Sequence, residues 1–87
     1  MAKLYIFTPS GRSEFNLADH NVIGRHPKNR IKILSVDVSK VHCLITGEQG
    51  RNFAVRDLGS RNGTFVNGRR IRSKTPLRDG DELRLGS

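Results

Sequence analysis

The sequence predicts an all-β fold, a sandwich or a barrel, from three observations. No segment carries a helical period. Short runs rich in β-branched and aromatic residues recur along the chain. Gly, Asn, Asp and Pro break those runs at close intervals, as turn residues punctuate the short strands of such folds. Taken in order, Leu4-Tyr5-Ile6-Phe7 is a continuous apolar run and is expected to be a strand buried on both faces. Thr8-Pro9-Ser10-Gly11 is a turn. Glu14-Phe15-Asn16-Leu17 alternates with period two, as a half-buried strand does. Asn21-Val22-Ile23-Gly24 is a short strand ending at Arg25. The polar stretch 26–30 precedes Ile31-Lys32-Ile33, which alternates, and 35–39 reads as a loop. His42 to Thr46 is a strand, with Gly47-Glu48-Gln49-Gly50 as its hairpin turn. Phe53-Ala54-Val55-Arg56-Asp57 alternates with Phe53 and Val55 inward. Asn62-Gly63 and Asn67-Gly68 are hairpin dipeptides, because a type I′ turn needs positive φ at both central positions. Asp79-Gly80 is a third such signal and leads into Glu82-Leu83-Arg84-Leu85. There is no internal repeat, linker or low-complexity tract.

The 87 residues make one domain, 1–87, large enough to bury a modest core without crosslinks. The single cysteine, Cys43, excludes an intrachain disulfide and suits a reducing compartment. The apolar run near Met1 is too short for a signal peptide, and nothing approaches the roughly 18 apolar residues of a membrane span. A soluble, cytoplasmic (intracellular) chain is expected. The formal charge of +8, from 16 Lys and Arg against 8 Asp and Glu, points to an anionic partner: a phosphoprotein, nucleic acid or acidic membrane.

Three short runs carry the chemistry: Ile23-Gly24-Arg25, Ser39-Lys40-Val41-His42 and Gly59-Ser60-Arg61-Asn62-Gly63-Thr64. They supply two arginines, a lysine, a hydroxyl and a carboxamide beside turns, a set able to hold a phosphate and the backbone next to it. Arg25 is the anchor candidate, since a guanidinium meets phosphate oxygens with paired donors. Gly24 before it admits a close approach. Its plainer role is a solvated arginine. Ser39 and His42 do not read as nucleophile and base, because no orienting third group or elbow glycines accompany them. Ser39 instead donates to an anion while His42 bonds loop backbone. Asn62 either takes a left-handed turn conformation or pairs its amide with an extended peptide, having both a donor and an acceptor.

Gly24-Arg25, Ser39-x-x-His42 and Asn62-Gly63, in this order and at these separations, resemble the forkhead-associated (FHA) domain family. The flanking text agrees: Val38 to His42, Val55 to Gly68, and Leu77-Arg78-Asp79-Gly80-Asp81. The resemblance runs from about Leu4 to Gly86. It implies a twisted antiparallel β-sandwich whose loops at one end bind phosphothreonine peptides without catalysis, a recognition module in signal transduction. It also implies Arg25 and Ser39 as phosphate ligands, with Lys40 and Arg61 adding phosphate or peptide contacts. Asn62 binds peptide backbone, and Gly24, His42 and Gly63 support the loops. Arg61 stands where the family often has threonine, and could reach an acidic residue of the peptide. Asp37 is expected to disfavour acidic residues a few positions after the phosphothreonine. The partner is a phosphothreonine protein, in trans or in cis. The family usually continues with a further strand beside the first one, so the chain is expected to be the N-terminal module of a longer protein, lacking its last strand and leaving an open edge.

Two other readings compete. A nucleic acid or acidic partner could use the basic run Arg69, Arg70, Arg72 and Lys74, although the aromatics are expected mostly in strand-core positions, with no stacking platform. A phospho-independent interaction domain is the other alternative. An enzyme is not expected: there is no P-loop, paired-carboxylate set or triad. His20, His26, His42 and Cys43 lack metal-ligand spacing, so no metal or cofactor is assigned.

Overall fold

The computed structural model describes residues 3–86. Its strands are β1 (Lys3–Thr8), β2 (Gly11–Asn16), β3 (His20–Gly24), β4 (Ile31–Lys32), β5 (Cys43–Glu48), β6 (Arg51–Asp57), β7 (Thr64–Val66), β8 (Arg69–Arg70), β9 (Thr75–Pro76) and β10 (Leu83–Leu85). The described residues include no helix, and so none long and apolar enough to cross a membrane. One sheet has the order β2-β1-β10-β7-β8 and the other β4-β3-β5-β6-β9. Alternation dictates which face is dry. Leu4, Ile6, Val66, Leu83 and Leu85 of the first sheet meet Ile23, Ile31, Cys43, Ile45, Phe53 and Val55 of the second in one buried core. This is the expected β-sandwich. It is antiparallel apart from two parallel pairs, β1 with β10 and β3 with β4.

The turns sort by whether the strands they join are partners. Asn67-Gly68 closes the β7–β8 hairpin with φ of 52° and 82°, both positive as a type I′ turn requires. The β5–β6 turn is only Gln49-Gly50, with φ of 50° and 78°. Gly47 and Glu48, expected in that turn, lie on β5 beside a bulge, and the Asp19 carboxylate accepts the N–H groups of Gln49 and Gly50. Asn62-Gly63 and Asp79-Gly80 are not hairpins. Only their glycines have positive φ, and each lies in a segment that carries the chain from the second sheet to the first. A dipeptide preference cannot register that the flanking strands lie in different sheets.

Two further expectations change. β1 is buried on one face only: Leu4, Ile6 and Thr8 point inward, Tyr5 is exposed and Phe7 half-buried. The outer rings are covered by cations instead of a second layer, Arg12 lying 4.7 Å from the Tyr5 centroid and Arg84 5.7 Å from that of Phe7. Phe65 also faces outward on β7, so of the five aromatics only Phe53 is a buried core residue, with Phe15 packed against the core. The flank of β1 expected to be open is filled by β10, through a two-residue parallel seam, Ile6 to Leu83 and Phe7 to Arg84.

Candidate functional site

The loops 25–30, 33–42 and 58–63 meet at one end of the sandwich and tie one another down. Strand β3 ends at Gly24, where a Cβ would drive into the Lys40 carbonyl and lie 2.7 Å from Asn29 Nδ2. Space, not backbone conformation, demands glycine there. The contact lets Arg25 N–H reach the Ser39 carbonyl (2.9 Å) and His26 N–H the Lys40 carbonyl (3.2 Å). Asn29 Nδ2 donates to the same Lys40 oxygen at 2.6 Å. The Arg25 side chain donates Nε–H to the Val38 carbonyl at 3.0 Å. That bond fixes the guanidinium and leaves its two terminal nitrogens for an anion.

His42 is fully buried. Its Nδ1 accepts the Ser39 N–H at 3.1 Å and its Nε2 donates to the Gly63 carbonyl at 2.8 Å. These two bonds assign the neutral ring with its proton on Nε2. Burial pushes its pKa below the ordinary histidine value, against the opposing pull of the Gly63 carbonyl and the Asp57 charge. Both nitrogens are committed to backbone, so the ring cannot serve Ser39 as a base; it joins two loops. Ser39 Oγ accepts the Arg61 N–H at 3.0 Å, which leaves its own proton to donate outward.

The loop after β6 is held by Asp57. One carboxylate oxygen accepts the Gly59 and Ser60 N–H groups, each at 3.0 Å; the other accepts the Ser60 and Thr64 hydroxyls. Burial alone would raise the Asp57 pKa, but these hydroxyl and N–H donors outweigh it and hold the carboxyl below its usual range. Ser60 Oγ in turn accepts the Gly63 N–H at 3.0 Å. Gly63, with φ of 94°, has the Arg70 guanidinium packed where a side chain would be: a Cβ would lie 2.8 Å from Arg70 Nε. Asn62 Nδ2 donates to the Asp37 carbonyl at 3.0 Å, leaving its Oδ1 and second N–H available.

The result is a cleft of about 310 Å³ lined by Arg25, Asp37, Ser39, Lys40, Arg61 and Asn62, with the Val36 and Val38 segment as one wall. All five residues expected to touch a ligand line it. Gly24, His42 and Gly63 lie behind it in the loop supports. Among the described residues Arg25, Lys40 and Arg61 have no carboxylate partner, the two ion pairs there being Lys3–Glu14 and Arg84–Glu82. The cleft can therefore hold a dianion with three cations and a hydroxyl. Sequence reasoning missed Asn29, Ser60 and Thr64. The Asp57-x-x-Ser60 spacing was a readable turn signal; nothing in the sequence pointed to Asn29. Cys43, one residue from His42, is fully buried, and burial followed by the Asp57 charge pushes its thiol pKa up. Among the described residues no three His, Cys, Asp or Glu side chains converge as a metal site would need.

Known proteins resemble this chain over most of its length. The FHA domain family model matches residues 21–86. The transcriptional regulatory protein EmbR of Mycobacterium tuberculosis is 41% identical over 76 residues, covering 87% of this chain and 19% of that protein. An oxoglutarate dehydrogenase inhibitor of Corynebacterium diphtheriae is 43% identical over 63 residues, covering 72% of this chain and 43% of the inhibitor. The chain thus spans less than half the length of these curated relatives. Among solved structures, EmbR of Mycobacterium tuberculosis in complex with a low-affinity phosphopeptide superimposes with a TM-score of 0.79 at 37% identity, covering 95% of this chain and 22% of that one. A structure from work on phosphothreonine-dependent FHA domain interactions gives a TM-score of 0.76 at 30% identity, covering 97% of this chain and 84% of that one.

Proposed function

This chain belongs to the FHA domain family, and from that premise we propose that its loop-end cleft holds the phosphothreonine of a partner protein in signalling, by binding and without catalysis. The observation that carries the reading is the cleft itself: Arg25, Lys40 and Arg61, none paired with a carboxylate among the described residues, surround a Ser39 hydroxyl whose proton is free to point outward. A phosphate dianion supplies what this set lacks. The two terminal nitrogens of Arg25 take two phosphate oxygens, Ser39 Oγ–H donates to the third, and Lys40 and Arg61 close over them as charge-assisted donors. Asn62, with Oδ1 and one N–H uncommitted, pairs with the peptide N–H and C=O beside the phosphothreonine. Gly24, His42 and Gly63 keep the loops in register without touching the ligand. The non-catalytic reading is supported by His42, both of whose ring nitrogens bond backbone. The phosphoprotein recognised, in trans or in cis, and the activity of any longer protein that carries this domain remain part of the proposal.

The test is binding of a degenerate phosphothreonine peptide library beside its unphosphorylated and phosphoserine counterparts, for the wild type and Arg25→Ala. Phosphothreonine-selective binding, weakened at least about 100-fold by Arg25→Ala because a charged pair is lost, is the expected result. A folded wild type that binds no phosphopeptide would overturn the reading.

A further inference from the structure

The outer face of the first sheet carries a cross-strand row in which cations and rings alternate. Register places Arg12 opposite Phe7, Phe7 beside Arg84, Arg84 opposite Phe65, and Phe65 opposite Arg70. Directly paired residues share a face, so the row Arg12-Phe7-Arg84-Phe65-Arg70 crosses all five strands on the solvent side. With strands about 4.8 Å apart, it is about 19 Å long, the reach of about six extended residues. Arg12 and Arg70 have no carboxylate partner among the described residues; Arg84 shares Glu82 at 3.5 Å, and Glu14, in the neighbouring row, is engaged by Lys3 at 3.9 Å. The row ends near the loop that presents Asn62 to the cleft. Its Arg70 end packs on Gly63, the residue after Asn62. The basic run 69–74 is correspondingly split: Arg70 joins this row, while Lys74 lies with Arg56 at a small cleft on the second sheet.

We propose that this row is a docking strip for an acidic stretch of the same phosphorylated partner, a stretch that continues beyond the residues held in the cleft. The inference rests on the phosphothreonine reading. Charge complementarity sets the sign of the occupant, and adjacency to Asn62 identifies its source, since a chain already tethered in the cleft meets the strip at high effective concentration. Single-stranded nucleic acid fits less well. It needs open ring faces for base stacking, and one face of Phe7, and of Tyr5 in the neighbouring row, lies under the guanidinium group of Arg84 and of Arg12 respectively. Those same contacts hold the arginines in place, which lowers the ordering cost of pairing them with carboxylates. Asp37, in the wall of the cleft, repels acids close to the phosphothreonine, so the acidic run begins several residues away.

The experiment compares a short phosphothreonine peptide with the same peptide extended, on either side and after a neutral spacer, by about six acidic residues or six Ser and Gln residues. The proteins are the wild type and an Arg12→Gln/Arg84→Gln double variant, whose substitutions lie outside the phosphate cleft. The expected result is about tenfold tighter binding from one acidic extension at low salt, from three exposed charge contacts, lost in the double variant and in about 0.5 M salt. A short peptide that binds with no gain from either extension overturns the strip while leaving the phosphothreonine reading intact. A short peptide that fails to bind overturns that reading and the strip with it. A gain that persists in the double variant overturns the strip. So does tight binding of a single-stranded 12-mer oligonucleotide that the double variant loses, if neither acidic extension tightens peptide binding.

Discussion

Asp57 lines no part of the cleft, yet it sets the shape of the loop that presents Arg61 and Asn62. Its carboxylate meets two N–H groups and two hydroxyls, so Asp57→Ala would orphan several donors at once. A cost of about 2–3 kcal/mol in urea unfolding is expected, with weaker phosphopeptide binding by the folded fraction, because hydrogen bonds to a charged group are the costly ones to lose. Unchanged stability would show the loop to be held elsewhere. Gly24→Ala tests a different cause. The added carbon must displace the Lys40 carbonyl, which anchors two of the loops, so phosphopeptide affinity should fall at least about tenfold through misplacement of Arg25 and Ser39. Isothermal titration of the folded variant checks this. At this scale the sequence was informative about which side chains gather: Arg25, Ser39, Lys40, Arg61 and Asn62 line one cleft. It was uninformative about Asn29, whose role depends only on which carbonyl the fold brings within 2.6 Å.

Between neighbouring strands, local turn chemistry and long-range pairing contribute separately. Asn67-Gly68 was legible because β7 and β8 are partners and the turn alone fixes their register. The Gln49-Gly50 turn adopts the same positive-φ pair with a residue less suited to it. Gln49→Asn should therefore stabilise the domain by about 0.5 kcal/mol, read as a raised urea midpoint at constant m-value, since stabilising changes at compatible sites are usually of this size. The β1–β10 seam was not legible. It joins residues far apart in sequence through two parallel partners, and no local pattern encodes it. Leu83, fully buried on that seam, is the position to challenge: Leu83→Ala should cost about 2–5 kcal/mol and loosen the β1–β2 hairpin first, as amide hydrogen exchange would report.

The whole molecule responds to acid in two ways. His42 is buried neutral with its pKa lowered, whereas in the unfolded chain it takes up a proton near pH 6.5. Its contribution to stability is therefore complete above about pH 6.5 and is lost as pH falls through the lowered folded value. Asp57, also lowered, acts in the same direction further down, from about pH 4 through its own folded value. The urea midpoint should thus decline below about pH 6.5 even without ligand, and a flat profile from pH 7.5 to 5 would contradict the neutral buried ring. Phosphopeptide affinity should decline in part of the same range for an independent reason, the loss of the second phosphate charge near pH 6. At this scale, alternation and turn spacing disclosed an all-β architecture. They could not separate an apolar run with a covered face from one whose outer rings are capped by arginines, as in β1. One consequence concerns Cys43. As the sole thiol, sealed in the core directly beneath the loop supports, it is a built-in stopwatch for breathing motions at that end of the domain. An alkylating reagent can mark it only during openings, so the labelling half-life counts them, and a ligand that clamps the loops should lengthen that half-life in inverse proportion to the fraction of protein left unbound.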